Sequence, residues 1–269
     1  MKWKKLKKWL LILLIVYIAG GIALYYLQDA ILFHPVQLKK EHRYSFSEPH
    51  EEINIPLNED ETLNLVRFIK TDTVRRGVVL YFHGNKKNIS WYSRFASQFT
   101  NNGYEVLMID YPGFGKSSGK FTEKILYDWS KHLYKFARST FGPDSIIIYG
   151  KSMGTGLASY LASREKCRRL VLETPYYDMP SVVSHYLPVY PVESMLHYKL
   201  PNYKYLQLVD EPISIFHGTD DGVITHGNAK RLKKYLKSTD EFVSIPDGKH
   251  NNLYSFPLVT RKLDSLLQR

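Results

Sequence analysis

Residues 145–158 read SIIIYGKSMGTGLA. Ser145 to Tyr149 is a short, apolar, β-branched run, and Gly154 to Glu165 has the character of a helix. Between them stands Gly150-Lys151-Ser152-Met153-Gly154, a G-x-S-x-G pentapeptide. A chain that passes directly from strand to helix through such a segment must turn sharply. The residues two positions either side of the serine must then be small, so that the chain can double back. The turn lifts the Ser152 hydroxyl clear of the sheet, and the helix N-terminus behind it favours developing negative charge.

Working outward from this segment, the same pattern repeats. Gly77 to Phe82 is a strand ending at His83-Gly84, and Val106 to Ile109 is one ending at Asp110. Leu170 to Leu172, Ile213 to Phe216 and Phe242 to Ile245 complete the set. Helical stretches are expected near Ser90–Thr100, Glu123–Ser139, Thr225–Lys237 and Leu253–Leu267. Almost wholly apolar strands imply that both sheet faces are covered. Their alternation with helices predicts an α/β fold with a mostly parallel, doubly wound sheet. Chemistry in such sheets collects beyond the carboxyl ends of the strands, which directs attention to His83, Asp110, Gly150, Thr174, His217 and Asp247.

Serine is a weak nucleophile until a base takes its proton. On this architecture the partners follow in the order acid, then histidine. After one strand stands His217-Gly218-Thr219-Asp220-Asp221-Gly222, where either aspartate can supply the orienting carboxylate. After the last strand stands Asp247-Gly248-Lys249-His250, with His250 as the base. Ser152, His250 and one of Asp220 and Asp221 are therefore the candidate triad. The backbone N–H groups of Asn85, after His83-Gly84, and of Met153, after the serine, are the candidate oxyanion hole. Asp110 is read as structural.

These residues resemble a known family. YYLQDAILFHP, HGNKKNIS, DYPGFGKSSG, GKSMGTGLA, HGTDDGVI and GKHNNL run from Tyr25 to Leu253 and are similar to segments of α/β-hydrolases. Within that superfamily the chain resembles the membrane-anchored, Bem46-like serine hydrolases of the ABHD13 and ABHD17 type. The resemblance implies the α/β-hydrolase fold, and it puts the triad acid on Asp221 rather than Asp220. It also implies a cap, which falls here at about residues 175–205, and some relatives of this type are depalmitoylating thioesterases. Pro112 and Thr225 depart from the usual residues at their positions. The cap is rich in tyrosine, and Tyr176, Tyr177 and Tyr186 are the candidate substrate contacts in an apolar pocket.

The composition sets limits. With 269 residues and 44% hydrophobic content the chain can bury a full core, so disorder and a small disulfide scaffold are excluded. Cys167 is the single cysteine, which rules out an internal disulfide or a multi-cysteine metal site. No metal or organic cofactor is expected. The net charge is +11, but Lys2, Lys4, Lys5, Lys7 and Lys8 supply five of those charges. The rest is scattered, which argues against nucleic acid as a partner.

Trp9 to Leu27, WLLILLIVYIAGGIALYYL, carries no charge over 19 residues, close to the ~20 that a membrane-spanning helix needs. The expected organisation is a basic head at 1–8, a transmembrane anchor at 9–27, a linker at 28–50 and the hydrolase domain at 51–269. The positive-inside rule puts the N-terminus in the cytoplasm and the hydrolase domain on the other side of the membrane. A cleaved signal peptide is the competing reading, since Gly21-Ile22-Ala23 resembles a cleavage site, but its apolar region would be unusually long. The function expected is a membrane-anchored serine hydrolase cleaving ester or thioester bonds of a lipid or acylated substrate. The alternatives are a serine peptidase of the same fold or a non-catalytic hydrolase-like binding protein. Carbonate extraction checks the anchor: a retained helix keeps the full-length chain in the membrane pellet, and release of the intact protein contradicts it.

Overall fold

Three successive isoleucines, Ile146 to Ile148, have no polar side chain to offer solvent, and they lie in the middle of the sheet with no exposed surface. The protein is described by a computed structural model covering residues 2–69 and 75–268. Its sheet has eight strands: β1 (His50–Pro56), β2 (Thr62–Phe68), β3 (Gly77–Phe82), β4 (Tyr104–Ile109), β5 (Ile146–Lys151), β6 (Arg169–Glu173), β7 (Ile213–Gly218) and β8 (Glu241–Ile245). Across the sheet they run β8-β7-β6-β5-β3-β4-β2-β1. From β8 to β4 every pairing is parallel, whereas β2 is antiparallel to both of its neighbours. This is the α/β-hydrolase fold that the sequence predicts.

Strand order reverses between β3 and β5. There Phe82 pairs with Gly150, so the His83-Gly84 turn and the Ser152 turn leave the sheet side by side. A crevice at such a reversal is where ligands bind in open α/β sheets. The period of two along each strand divides the core. Val78, Leu80 and Phe82 face one layer with Trp129 and Leu157, while Val79 and Tyr81 face the other with Phe99 and Leu263.

Five helices matter to the site: α1 (Lys2–Leu32), α2 (Glu123–Arg138), α3 (Gly154–Ala162), α4 (Met179–Tyr186) and α5 (Pro257–Gln268). In α2, Leu126, Trp129, Leu133 and Ala137 recur every three or four residues and are all buried, giving one core-facing stripe. Thr122 caps its start by accepting a hydrogen bond from the Ile125 N–H at 3.2 Å.

Two expected helices are broken. Residues 89–100 form two single turns around a 3₁₀ segment, Ser93–Phe95. Hydroxyls compete for the backbone there, as when the Ser93 hydroxyl donates to the Ser90 carbonyl. Residues 226–235 likewise change from α to 3₁₀ after Lys230, in a segment that carries the poor helix formers Gly227 and Asn228.

The linker expected at 28–50 is not a free connection. Helix α1 continues to Leu32, and the next residues are anchored. Phe33 is buried against Phe121 and Tyr198, with ring centroids 4.4 and 4.7 Å away. His34 and Pro35 pair in parallel with Lys86 and Lys87, and Tyr44 is buried. The reason is chemical: Phe33 and Tyr44 have apolar surface to bury and find it on the domain. Met1, the first residue of the expected head, and Arg269, the last of the hydrolase domain, lie outside the described residues.

The tight passage from β5 to α3 has a measurable consequence. A Cβ at Gly154 would meet the Phe82 carbonyl oxygen at 2.1 Å, so α3 lies directly on β3. Gly154→Ala is expected to destabilise the protein by about 1–3 kcal/mol through overpacking. Gly222→Ala, at a position with open space around it, leaves the thermal midpoint unchanged. Equal midpoints for the two variants contradict this packing.

Candidate active site

Ser152 has φ = +52°, in the left-handed region that a non-glycine residue enters at a cost of about 1–3 kcal/mol. Three hydrogen bonds hold it there. Its N–H donates to the Glu173 carbonyl at 2.9 Å, and its own carbonyl accepts from the Thr155 N–H at 2.9 Å and hydroxyl at 2.6 Å. Gly150 is required because a Cβ would come within 2.6 Å of the Gly154 carbonyl oxygen. The spacing in G-x-S-x-G thus follows from two backbone approaches on either side of one strained serine.

Residues from three separate loops meet at this serine. The Ser152 hydroxyl lies 2.9 Å from His250 Nε2. His250 Nδ1 lies 2.7 Å from Asp221 Oδ2. With Nδ1–H donating to the carboxylate, Nε2 is left to accept the serine proton. Asp221 Oδ1 accepts from the N–H groups of Val223 and Ile224, both at 2.9 Å. Burial acts to raise the Asp221 carboxyl, but the hydrogen bond and charge of His250 and the two amides outweigh it, so its pKa lies below the usual value. The carboxylate is therefore ionised when it faces the imidazole. Asp220 is exposed and takes no part in this chain of hydrogen bonds.

His217 lies 3.7 Å from the same carboxylate. Burial holds its pKa below the usual histidine value, so near neutral pH it adds no charge that competes for Asp221. Asp110 is fully buried, 3.2 Å from His83, and accepts from the Ile89 N–H at 2.9 Å and the Tyr44 hydroxyl at 3.4 Å. It braces the loop after β3 and does not touch Ser152.

Among the described residues, no intramolecular hydrogen bond engages the N–H of Asn85 or Met153. Both residues line the cavity at Ser152. The Asn85 side chain points elsewhere and donates to the Leu32 carbonyl at 2.5 Å, tying the end of α1 to this loop. Among the described residues, no group of three or more His, Cys, Asp or Glu side chains could hold a metal ion.

The cavity above Ser152 has a volume of about 630 Å³. Met179, Val183 and Leu187 form its cap side, and Leu24, Ile31 and Leu32 of α1 form the other. That contribution from α1 is not foreseen in the sequence. Tyr176 lines the cavity, and its hydroxyl donates to the Met153 carbonyl at 3.1 Å. Tyr186 lies at the rim and donates to the carbonyls of Gly222 and Val223. Tyr177 corrects the expectation. It is not among the lining residues and stacks on Tyr203 at 4.4 Å, its hydroxyl paired with that of Tyr235. The end of the expected cap is also core: Asn202 is fully buried and bonds to Thr155, Ser159 and the Tyr176 carbonyl.

A second group missed in the sequence lies behind the turn. Lys151 and Glu173, at the ends of β5 and β6, form an ion pair with both side chains 2% exposed. Glu173 also accepts from the Tyr149 hydroxyl at 2.6 Å, and Lys151 Nζ lies 3.4 Å from the His250 carbonyl. The signal was a charged residue at the end of each of two apolar strands.

Comparison with known proteins agrees with this architecture. Residues 73–205 match the Hydrolase_4 family, described as serine aminopeptidase, S33. Alpha/beta hydrolase domain-containing protein 17C from Xenopus tropicalis is 26% identical over 208 residues, covering 74% of this chain and 64% of that protein. The human protein of that name is 26% identical over 208 residues, covering 74% of this chain and 60% of its own length. This chain thus spans somewhat under two thirds of those relatives. Among solved structures, the esterase Pf2001 of Pyrococcus furiosus superposes with a TM-score of 0.68 at 18% identity, covering 88% of this chain and 97% of that one. A soluble variant of monoglyceride lipase from Saccharomyces cerevisiae gives 0.63 at 16% identity, covering 86% and 98%.

The buried pair yields a test. Lys151→Met leaves Glu173 without its cation and is expected to cost about 3–5 kcal/mol in urea unfolding. Adding Glu173→Gln to the same chain recovers part of that loss. A single Lys151→Met variant as stable as the parent contradicts the pairing.

Proposed function

From the membership of this chain in the α/β-hydrolase superfamily, we propose that it is a membrane-anchored serine hydrolase that cleaves ester or thioester bonds carrying an apolar acyl chain. The observation that carries this reading is the Ser152–His250–Asp221 hydrogen-bonded chain, at 2.9 and 2.7 Å, beside two unengaged backbone N–H groups.

In this reading Ser152 Oγ attacks the acyl carbonyl carbon while His250 Nε2 takes its proton. Asp221 fixes the imidazole tautomer and stabilises the imidazolium. The N–H groups of Asn85 and Met153 receive the oxyanion. His250 then returns the proton to the departing oxygen or sulfur, leaving an acyl-enzyme. Water, deprotonated by His250, releases the acid and restores the serine.

The cavity's chemistry favours an apolar acyl group. Its walls are mostly leucine, isoleucine, valine, methionine, tyrosine and tryptophan. The description of the matching family raises aminopeptidase activity as a second reading. An aminopeptidase needs an anion to hold its substrate's free amino group, and none of the lining residues carries a carboxylate. Lys86, Lys87 and Lys151 line it instead. Competition among ester, thioester and peptide probes separates the two readings.

Helix α1 acts as the anchor in this proposal, with the lysine head in the cytoplasm and the hydrolase domain across the membrane. Its mean hydropathy of 2.4 over the best window and its lack of buried residues there support lipid as its surroundings.

A fluorophosphonate probe tests the site. Ser152→Ala is expected to abolish labelling, and Asp221→Asn to lower turnover on the order of 10⁴-fold. Asp220→Asn stays within twofold of the parent. Labelling that persists in Ser152→Ala contradicts the assignment.

A further inference from the structure

A tether needs only length and apolar surface, yet α1 is fitted to the cap along one face. Tyr17, Gly20, Gly21, Leu24, Gln28 and Ile31 recur at spacings of three and four and so share a stripe. The Tyr17 hydroxyl donates to the Val189 carbonyl at 2.9 Å, and the Tyr190 hydroxyl donates to the Tyr17 carbonyl at 3.3 Å. Their rings stack 4.8 Å apart and 4° from parallel. The glycine pair makes room: a Cβ at Gly20 would lie 2.5 Å from the Tyr190 hydroxyl, and one at Gly21 would lie 3.2 Å from its ring. Farther along, Gln28 donates to the Met195 carbonyl at 3.3 Å and accepts from the His197 N–H at 2.7 Å.

These contacts fix the cap's depth. Ten residues separate Tyr17 from Leu27, the end of the uncharged span, or about 15 Å along a helix. The hydrocarbon core is ~30 Å thick. If α1 spans it, Val189 and Tyr190 sit near mid-bilayer, and a tilt of ~40° still leaves them about 11 Å deep. Raising the cap to the surface would leave too little of α1 in the hydrocarbon to span it.

We propose, resting on the hydrolase reading above, that the loop Tyr186–Val192 is immersed in the leaflet facing the hydrolase domain. The acyl chain of a bilayer-resident lipid then reaches Ser152 sideways, between α1 and α4, without crossing water. The loop reads YLPVYPV and carries no charge. Most of its backbone suits lipid, where unsatisfied polar groups are costly, the Val189 N–H being the exception. Pro188 and Pro191 have no N–H, and the N–H groups of Leu187, Tyr190 and Val192 donate to the carbonyls of Val183, Leu187 and Tyr190. Val189 is 68% exposed, a state that lipid relieves and water penalises. Glu193, which follows the loop, pairs with Lys199.

Two spaces adjoin along this route. A smaller apolar pocket between α1 and the cap is lined by Leu24, Ile31, Leu32, Val183 and Leu187, and the same five residues line the cavity over Ser152. At its inner end Asn85 bonds to the Leu32 carbonyl, so the chain's route ends at the proposed oxyanion donors.

The test uses the full chain in phosphatidylcholine vesicles. A fluorophore on Val189→Cys is expected to be quenched by doxyl groups on lipid tails, and one on Asp144→Cys, beside the opposite end of the sheet, by aqueous iodide. Cys167 is buried and does not compete for label. Val189→Asp is expected to lower turnover of a long-chain ester in the vesicles at least tenfold and to leave p-nitrophenyl acetate turnover within twofold. A vesicle lipid with a photoreactive tail is expected to cross-link to Met153, which lines the cavity beside Ser152 and which only a chain inside it reaches. Iodide quenching at position 189, equal effects on both esters, or cross-links confined to α1 overturn the proposal. If the parent protein hydrolyses neither ester, the hydrolase reading fails, while the quenching and cross-linking still decide the immersed loop and its port.

Discussion

The organisation of this protein depends on how closely α3 lies against the sheet. With only hydrogen on Gly154, the first turn of α3 rests on the carbonyl of Phe82, and with only hydrogen on Gly150 the chain folds back over its own strand. No relaxed path joins β5 to α3 at that distance, so Ser152 is driven to positive φ. Hydrogen bonds to the Glu173 carbonyl of neighbouring β6 and from Thr155 hold the strain in place. The side chain then points over the edge of the sheet, where loops after β7 and β8 deliver a carboxylate and an imidazole. The buried Lys151–Glu173 pair lies directly beneath and reaches the carbonyl of His250, so the turn and the histidine loop share one support.

Much of this was legible in the sequence because it is local. The apolar strands end at glycine or at a polar residue, and the period-two pattern places them without tertiary information. The order of Ser152, Asp221 and His250 followed from the architecture, and the structure brings all three together. The choice between Asp220 and Asp221 was not local. It turns on which carboxylate is pinned by the Val223 and Ile224 N–H groups, a matter of loop conformation. Tyr177 was misplaced for a related reason, since composition counts tyrosines in a cap but does not say which side of the chain each one takes. The Lys151–Glu173 pair was hidden because β5–β6 register, which sets the two side by side, is a long-range property.

Helix α1 shows the same division. By length and composition its uncharged stretch is long and apolar enough to cross a membrane, yet nothing in its hydropathy distinguishes a tether from a wall of the cavity. The distinction lies in a few residues on one stripe: two glycines that admit a tyrosine ring, and a glutamine that bonds both ways to the cap. Fold, N-terminal helix and site are thereby joined through the end of α1, which meets both the cap and the loop carrying Asn85.

Trapping the covalent intermediate tests the central claim most directly. The protein is mixed with a long-chain p-nitrophenyl ester, quenched in acid within its first turnovers and weighed intact by mass spectrometry. A mass increase equal to the acyl group less one hydrogen, mapped by fragmentation to the hydroxyl of Ser152, is the expected result. An adduct on any other residue, or turnover with no adduct at any time point, would contradict a serine activated by His250.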